Sequence, residues 1–316
     1  MVQSAEHIDP RRIKALSRLQ PWRTVLAIAV DWAVIAAAIA VCELTQSWLV
    51  WLVAVPVIAG RMHALAVLMH EFAHFRFMKN KALSDWIGDV FCAWPVGVTV
   101  DGYRTNHLAH HRYLNTDRDP DWVAKLGTRT FTFPQEMRFA LLNVAGYFVG
   151  VSSMRDLRTA FVRLQADDHS SLNYKLLRYG SYGLVFVIVT LGGWWSEYFF
   201  YWAIPYLTVF FLLLYVRSVA EHFGETMDYG EELTSTRTVI PYFWERWLFC
   251  PHNISYHLEH HEYPSVPFYN LPELNRELMR SRGYSQKAHI TRGFATGLLR
   301  EVWLDSWRKP QAAVGT

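Results

Sequence analysis

Three short histidine runs stand out from the sequence. His70 and His74 bracket Glu71, Phe72 and Ala73; His107, His110 and His111 fall within five residues; His257, His260 and His261 repeat that second spacing. On a helix, positions i, i+3 and i+4 share one face, so each run projects its imidazoles in one direction. Neutral imidazole is a good ligand for iron, zinc or copper. Eight imidazoles are too many for one ion, since a zinc site takes three or four protein ligands; eight or nine suit two ions. The ordinary alternative, polar helix residues with no shared task, makes two copies of one three-histidine pattern a coincidence. A ninth candidate is His222, in the run Arg217–His222. His63 stands two turns before His70 and reads as structural. His7, His169 and His289 lack such a context, and His252 falls outside the spacing.

Ligating imidazoles need an acceptor on the second ring nitrogen. Glu71, Glu221, Glu259 and Glu262 are placed to serve, although each also reads as a solvated carboxylate. Asn253, four residues before His257, shares its face if the helix has already begun, within reach of the metal directly or through water.

The elements that must hold these residues are apolar. The chain of 316 residues is 52% hydrophobic and 16% aromatic, and its apolar residues sit in long blocks. Thr24–Leu44, Trp48–Met69, Leu176–Trp194 and Tyr198–Ala220 each approach the roughly 20 residues that cross a bilayer. Few residues separate the first from the second or the third from the fourth. The expected fold is therefore an all-α membrane protein with four transmembrane helices in two hairpins (24–69 and 176–220). A single domain covers 1–316: a cytoplasmic N-terminal segment (1–23), the hairpins, and a cytoplasmic helical cap (76–175 and 221–316) carrying the histidine boxes. Basic residues flank the spans on one side only (Arg11, Arg12, Lys14, Arg18, Arg23, Arg76, Lys79, Lys81, Arg163, Lys175, Arg178), while the hairpin tips carry Glu43 and Glu197. The positive-inside rule thus places both termini and the boxes in the cytoplasm. The last segment, Leu271–Thr316, reads as charged helix with a frayed end at Pro310–Thr316. Asp31 and Arg61 fall at similar depth in the first hairpin and are expected to pair, because a lone charge there costs about 2.5–3.5 kcal/mol.

Several classes are disfavoured. A net charge of +3 without a basic, aromatic-laced face does not point to nucleic acid. Cys42, Cys92 and Cys250 are too scattered for a disulfide framework or zinc ribbon. The polar N-terminus lacks the short apolar core of a secretory signal. His70–His74 is also a literal H-E-x-x-H, the zinc protease motif, with Asp101 as a conceivable third ligand, but that leaves two boxes unexplained. A metal transporter would carry polar groups through the bilayer midplane, whereas these cluster at its face.

The boxes and their flanks, Asn106–Asp117 and Asn253–Pro267, resemble those of the membrane fatty acid desaturase and hydroxylase superfamily, over residues 45–285. That resemblance implies a non-haem centre of two iron ions, O2 as co-substrate, and two electrons from an external carrier such as ferredoxin, rubredoxin or cytochrome b5. It implies oxidation of an unactivated C–H bond in a lipid chain, with fatty acyl desaturation first and hydroxylation or ketolation of a lipid or carotenoid as the alternative. Asp119-Pro120-Asp121 also resembles the carotenoid ketolases. No electron-transfer segment is fused, so a partner must dock, with Arg104, Arg112 and Arg118 as a candidate surface.

Overall fold

Long apolar stretches satisfy every backbone group internally only as helices, and helix dominates the computed structural model, which describes residues 8–166 and 169–304. The chain runs through α1 (Pro10–Leu16), α2 (Pro21–Thr45), α3 (Trp48–Ala73), α4 (Lys81–Gly88), α5 (Val100–Tyr113), α6 (Pro120–Lys125), α7 (Met137–Phe148), α8 (Val151–Ala166) and α9 (Leu172–Gly192). It then continues through α10 (Trp195–Tyr198), α11 (Phe211–His222), α12 (His257–Glu262), α13 (Leu271–Leu278) and α14 (Arg282–Lys287). The expectation of an all-α chain needs one amendment. Thr238–Ile240 (β1) and Ile290–Arg292 (β2) pair in parallel, with Val239 opposite Thr291, so the tail after Leu271 is not helical throughout. The frayed end expected at Pro310–Thr316 lies outside the described residues, as does His7.

Among the described residues, three helices are long and apolar enough to cross a membrane: α2, α3, and a continuous run Trp195–His222 of 28 residues. That run carries α10 into α11 through π-helical turns at Phe199–Ala203 and Tyr206–Phe210. The expected third span lies in α9, a helix of 21 residues. Its apolar half, Leu184–Leu191, is diluted by Lys175, Arg178, Gly180 and Ser181, which leaves it outside that set.

The residues group into two compact units. The first comprises 1–18, 109–145 and 215–316; the second comprises 19–108 and 146–214. In the second unit, α3 is the core. Of its apolar window 78% is buried, against 22% for α2, so α2 turns most of its apolar side outward. Asp31 of α2 and Arg61 of α3 are both buried, and Nη1 lies 3.0 Å from Oδ1. The expected pair is therefore present. Trp32 stacks on Trp202 with centroids 5.8 Å apart. The chain then folds back on the end of α3 at Gly88, where an added Cβ would stand 2.6 Å from the Phe72 ring. Buried Asp89 receives the Val100 N–H (2.7 Å), at the start of α5, and the Tyr174 hydroxyl (2.8 Å) from α9.

The first unit packs Leu16 of α1 with Tyr256, Leu258, Val266, Leu271, Leu274, Leu278 and Tyr284. Arg12 closes α1 onto Glu273 and Glu277 of α13. Buried Glu245 receives the N–H groups of Phe294 and Ala295, both at 2.9 Å. Trp303 Nε1 reaches Gln135 at 3.0 Å.

Breaking the Asp31–Arg61 pair by Asp31→Asn or Arg61→Gln strands a partner and is expected to destabilise by about 3–5 kcal/mol. The charge-swapped Asp31→Arg/Arg61→Asp protein should recover part of the melting temperature and yield in detergent; no recovery would refute the pairing. Burial pushes the Asp89 carboxyl up to about 6. A raised carboxylate contributes stability below its unfolded value that is lost as pH rises through the folded one. Asp89→Asn should therefore flatten the stability difference between pH 3 and pH 7, on the order of 3 kcal/mol. Parallel melting curves for the two proteins across that window would contradict it.

Candidate metal centre

In the second unit, box one occupies the last turn of α3. His70 is fully buried and His74 caps the helix. Phe75 takes a left-handed conformation (φ 57°), and the Arg76 N–H closes back on the Glu71 carbonyl at 2.9 Å. Such a C-terminus leaves carbonyls in need of donors, and Arg104 of α5 supplies them. Its Nη2 donates to Phe72 O and its Nε to Ala73 O, both at 3.1 Å. Its charge meets Asp85 at 2.5 Å, and the guanidinium lies 4.1 Å over the Phe75 ring. Arg104 is thus a largely covered brace between α3 and α5, its charge engaged by Asp85 rather than offered to the expected docking surface. One turn further along α5, His107 comes to box one: its ring centroid is 4.5 Å from His70 and 4.9 Å from His74. Tyr103 stacks on His107 at 5.0 Å. Glu71 Oε1 stands 3.6 Å from His70 Nδ1. Asp101 is not beside the pair; its carboxylate faces Arg104 and receives the His169 N–H. His63 is buried in α3.

The first unit gathers six imidazoles. His222 ends α11, and box three makes up most of α12. His257 Nε2 lies 2.8 Å from His222 Nε2 and 3.0 Å from His261 Nε2. One ring nitrogen from each of His110, His222, His257 and His261 falls within 4.8 Å of the others. His111 Nε2 lies 3.0 Å from His260 Nε2, and the His111 ring stacks on His261 at 4.1 Å. All but His111 and His261 are buried. Neutral imidazole has one N–H and one lone pair. Several Nε2 atoms facing one another at 2.8–3.0 Å bring lone pairs together, which is costly without a cation among them. Metal–nitrogen bonds of about 2.0–2.1 Å suit such convergence, so the residues fit a metal.

The partners of the outer nitrogens decide which atom faces inward. His110 Nδ1 lies 2.9 Å from Asp119 Oδ2. The carboxylate accepts, so Nδ1 carries the proton and Nε2 presents its lone pair. Asp119 is fully buried; its Oδ1 also receives the Asp121 and Trp122 N–H groups and so starts α6. Glu221 binds Arg217 at 2.7 Å and stands 3.5 Å from His257 Nδ1.

Other expected outer residues go elsewhere. Glu259 meets no imidazole: its carboxylate receives Thr238 Oγ1, Asn275 Nδ2 and Tyr284 Oη, and it anchors α12 to β1, α13 and α14. Asn253 precedes the helix, which begins only at His257. Its backbone is left-handed (φ 58°), and its amide donates to Phe268 O at 3.0 Å. His252 packs edge-on against Phe268, and His289 binds Glu301. Asp119 escaped the sequence reading. The Asp119-Pro120 pair does signal a helix start, but nothing in the spacing shows that the second oxygen returns nine residues to His110.

The comparisons with known proteins agree with this picture. The fatty acid desaturase family model matches residues 46–293. A dihydrorhizobitoxine desaturase of Bradyrhizobium elkanii is 29% identical, across 87% of this chain and 81% of its own length. An sn-1 oleoyl-lipid 12-desaturase of Arthrospira platensis is 22% identical, across 83% and 76%. A human sphingolipid delta(4)-desaturase/C4-monooxygenase is 27% identical, across 82% and 75%.

Asp119→Asn tests the orienting bond. Asparagine still caps α6, but its amide presents N–H to His110 and favours the tautomer whose Nε2 is blocked. Metal affinity should fall about 10–100-fold, more than the metal-free melting temperature accounts for, since Asp119 Oδ2 also receives the Asn115 N–H (3.0 Å). Unchanged affinity in a metal titration would refute the role.

Proposed function

The chain belongs to the fatty acid desaturase family, and from that premise we propose that it is a membrane-bound diiron enzyme that introduces a double bond into a lipid acyl chain. The four-imidazole convergence in the first unit carries this reading, and the group of His70, His74 and His107 in the second unit supports it. His110, His222, His257 and His261 hold one iron. His70, His74 and His107 hold the second, and His111 and His260 are the remaining two ligands of the nine. When bound, such a pair of irons supplies oxidation of an unactivated C–H bond using O2 and two external electrons.

The protein's own part is orientation. Asp119 fixes the tautomer of His110. Glu221 and Glu71 face the outer nitrogens of His257 and His70. Arg104 and Asp85 hold box one against α5. Neutral nitrogen donors in a buried setting keep the centre free of ligand charge.

Four spans are proposed, α9 joining the three apolar runs, in two hairpins. Both termini and the histidine-bearing cap face the cytoplasm, following the basic residues that flank the spans, and the two units act as one catalytic domain. A small electron carrier of the ferredoxin, rubredoxin or cytochrome b5 type docks at exposed Arg112 and Arg118, which flank Tyr113. A second reaction, hydroxylation, is favoured by one observation: the human relative is named both desaturase and monooxygenase.

Lipid profiling of a host expressing the chain with a ferredoxin and its reductase tests the proposal. A new acyl double bond is expected, and its loss in His222→Ala. A new hydroxyl or keto group instead would establish the second reading, and an unchanged lipid profile would refute both.

A further inference from the structure

Arg237 is the largest of the fully buried side chains in the first unit, and the histidine boxes do not account for it. Its Nη1 donates to Val219 O (3.2 Å), Ala220 O (3.1 Å) and Phe223 O (3.2 Å), and its backbone N–H to Glu221 O (2.9 Å). Those four carbonyls surround His222 at the end of α11, where helical donors run out (only Val219 O among them also receives a backbone N–H, from Phe223) and the helix dipole favours a cation. Gly224 makes room: its φ is +137°, and a Cβ there would stand 3.0 Å from Arg237 Nη2.

The neighbouring residue performs the matching task for box three. Thr238 Oγ1 accepts the Leu258 N–H at 3.1 Å and donates to the Glu259 carboxylate, in the first turn of α12. Two adjacent residues therefore tie the end of the helix bearing His222 to the start of the one bearing His257. A buried guanidinium needs a counter-charge. It comes from Glu301, whose Oε1 lies 3.0 Å from Arg237 Nη2 and also receives Thr226, while His289 Nε2 stands 2.7 Å away and Thr291 binds the other oxygen. Glu301 lies beyond the residues that the family model matches.

We propose that Arg237 and Glu301 form a positioning clamp for His222, so that the C-terminal segment after residue 293 sets metal affinity at the group of His110, His222, His257 and His261. The clamp rests on the reading of that group as a metal site. It touches no substrate or metal; it fixes where one ligand's backbone ends.

Cobalt(II) added to the metal-free, detergent-purified full chain provides the test, because its visible absorption reports the nitrogen ligands. The parent should bind cobalt with a strong band, and His222→Ala supplies the reference for a lost ligand. Glu301→Gln should weaken one cobalt about 10–100-fold and shift the band toward the His222→Ala spectrum, with Glu301→Asp recovering part of it. Glu301→Gln leaves Arg237 a weakened partner and can cost folding. The double variant Arg237→Met/Glu301→Met removes both charges, and should lose the same band while its metal-free helical fold, followed by circular dichroism, persists. Parental affinity and spectrum in the double variant would overturn the clamp. So would cobalt loss that only tracks loss of the metal-free fold. A parent that binds no cobalt would overturn the metal reading itself, and the clamp with it.

Discussion

Imidazole lone pairs do not approach one another willingly. In the first unit, His222, His257 and His261 bring ring nitrogens within 2.8–3.0 Å, although 35 residues separate the first two. Each ring must be aimed from an element whose backbone is fixed, because a side chain with two rotatable bonds inherits every error of its Cα. Much of what surrounds the histidines serves that requirement. Asp119 holds a ring by its outer nitrogen. Glu259 holds a helix by Thr238, Asn275 and Tyr284.

The same device appears twice. Box one ends α3, and His222 ends α11. A helix that stops at a ligand leaves its last carbonyls short of donors in the place where that is most disruptive. In the second unit Arg104 takes those of Phe72 and Ala73; in the first, Arg237 takes those of Val219, Ala220 and Phe223. Each arginine is neutralised by an acid from a distant stretch, Asp85 or Glu301. An arginine suits this better than a lysine, because its planar fork reaches several acceptors at once.

How much of this was legible in the sequence depends on range. The boxes follow from i, i+3 and i+4 spacing, and the Asp31–Arg61 pair from counting back from a hairpin tip, since both are set by helix geometry alone. His222 was legible for the same reason: a span of known length delivers its end residue to a known level. Asn253 misled because the helix starts only at His257 and two left-handed residues precede it. Glu259 misled because i+2 from a ligand points to the opposite face of a short helix, toward Thr238 and Tyr284. Arg104 reads as positive-inside charge until its partners are seen. Asp119, Arg237 and Glu301 depend on contacts across 9 and 64 residues, which no periodicity encodes. The expected third span, in α9, is hard to read either way, because Lys175 and Arg178 dilute its apolar run.

Nine neutral imidazoles holding two irons in one chain is the arrangement we propose. Iron X-ray absorption on the purified full chain, with total metal content measured on the same sample, reads it out. Two irons per chain with a shell dominated by nitrogen donors are expected, falling to one in His222→Ala. A single zinc per chain, or an iron shell built mainly of carboxylate oxygen, would contradict it.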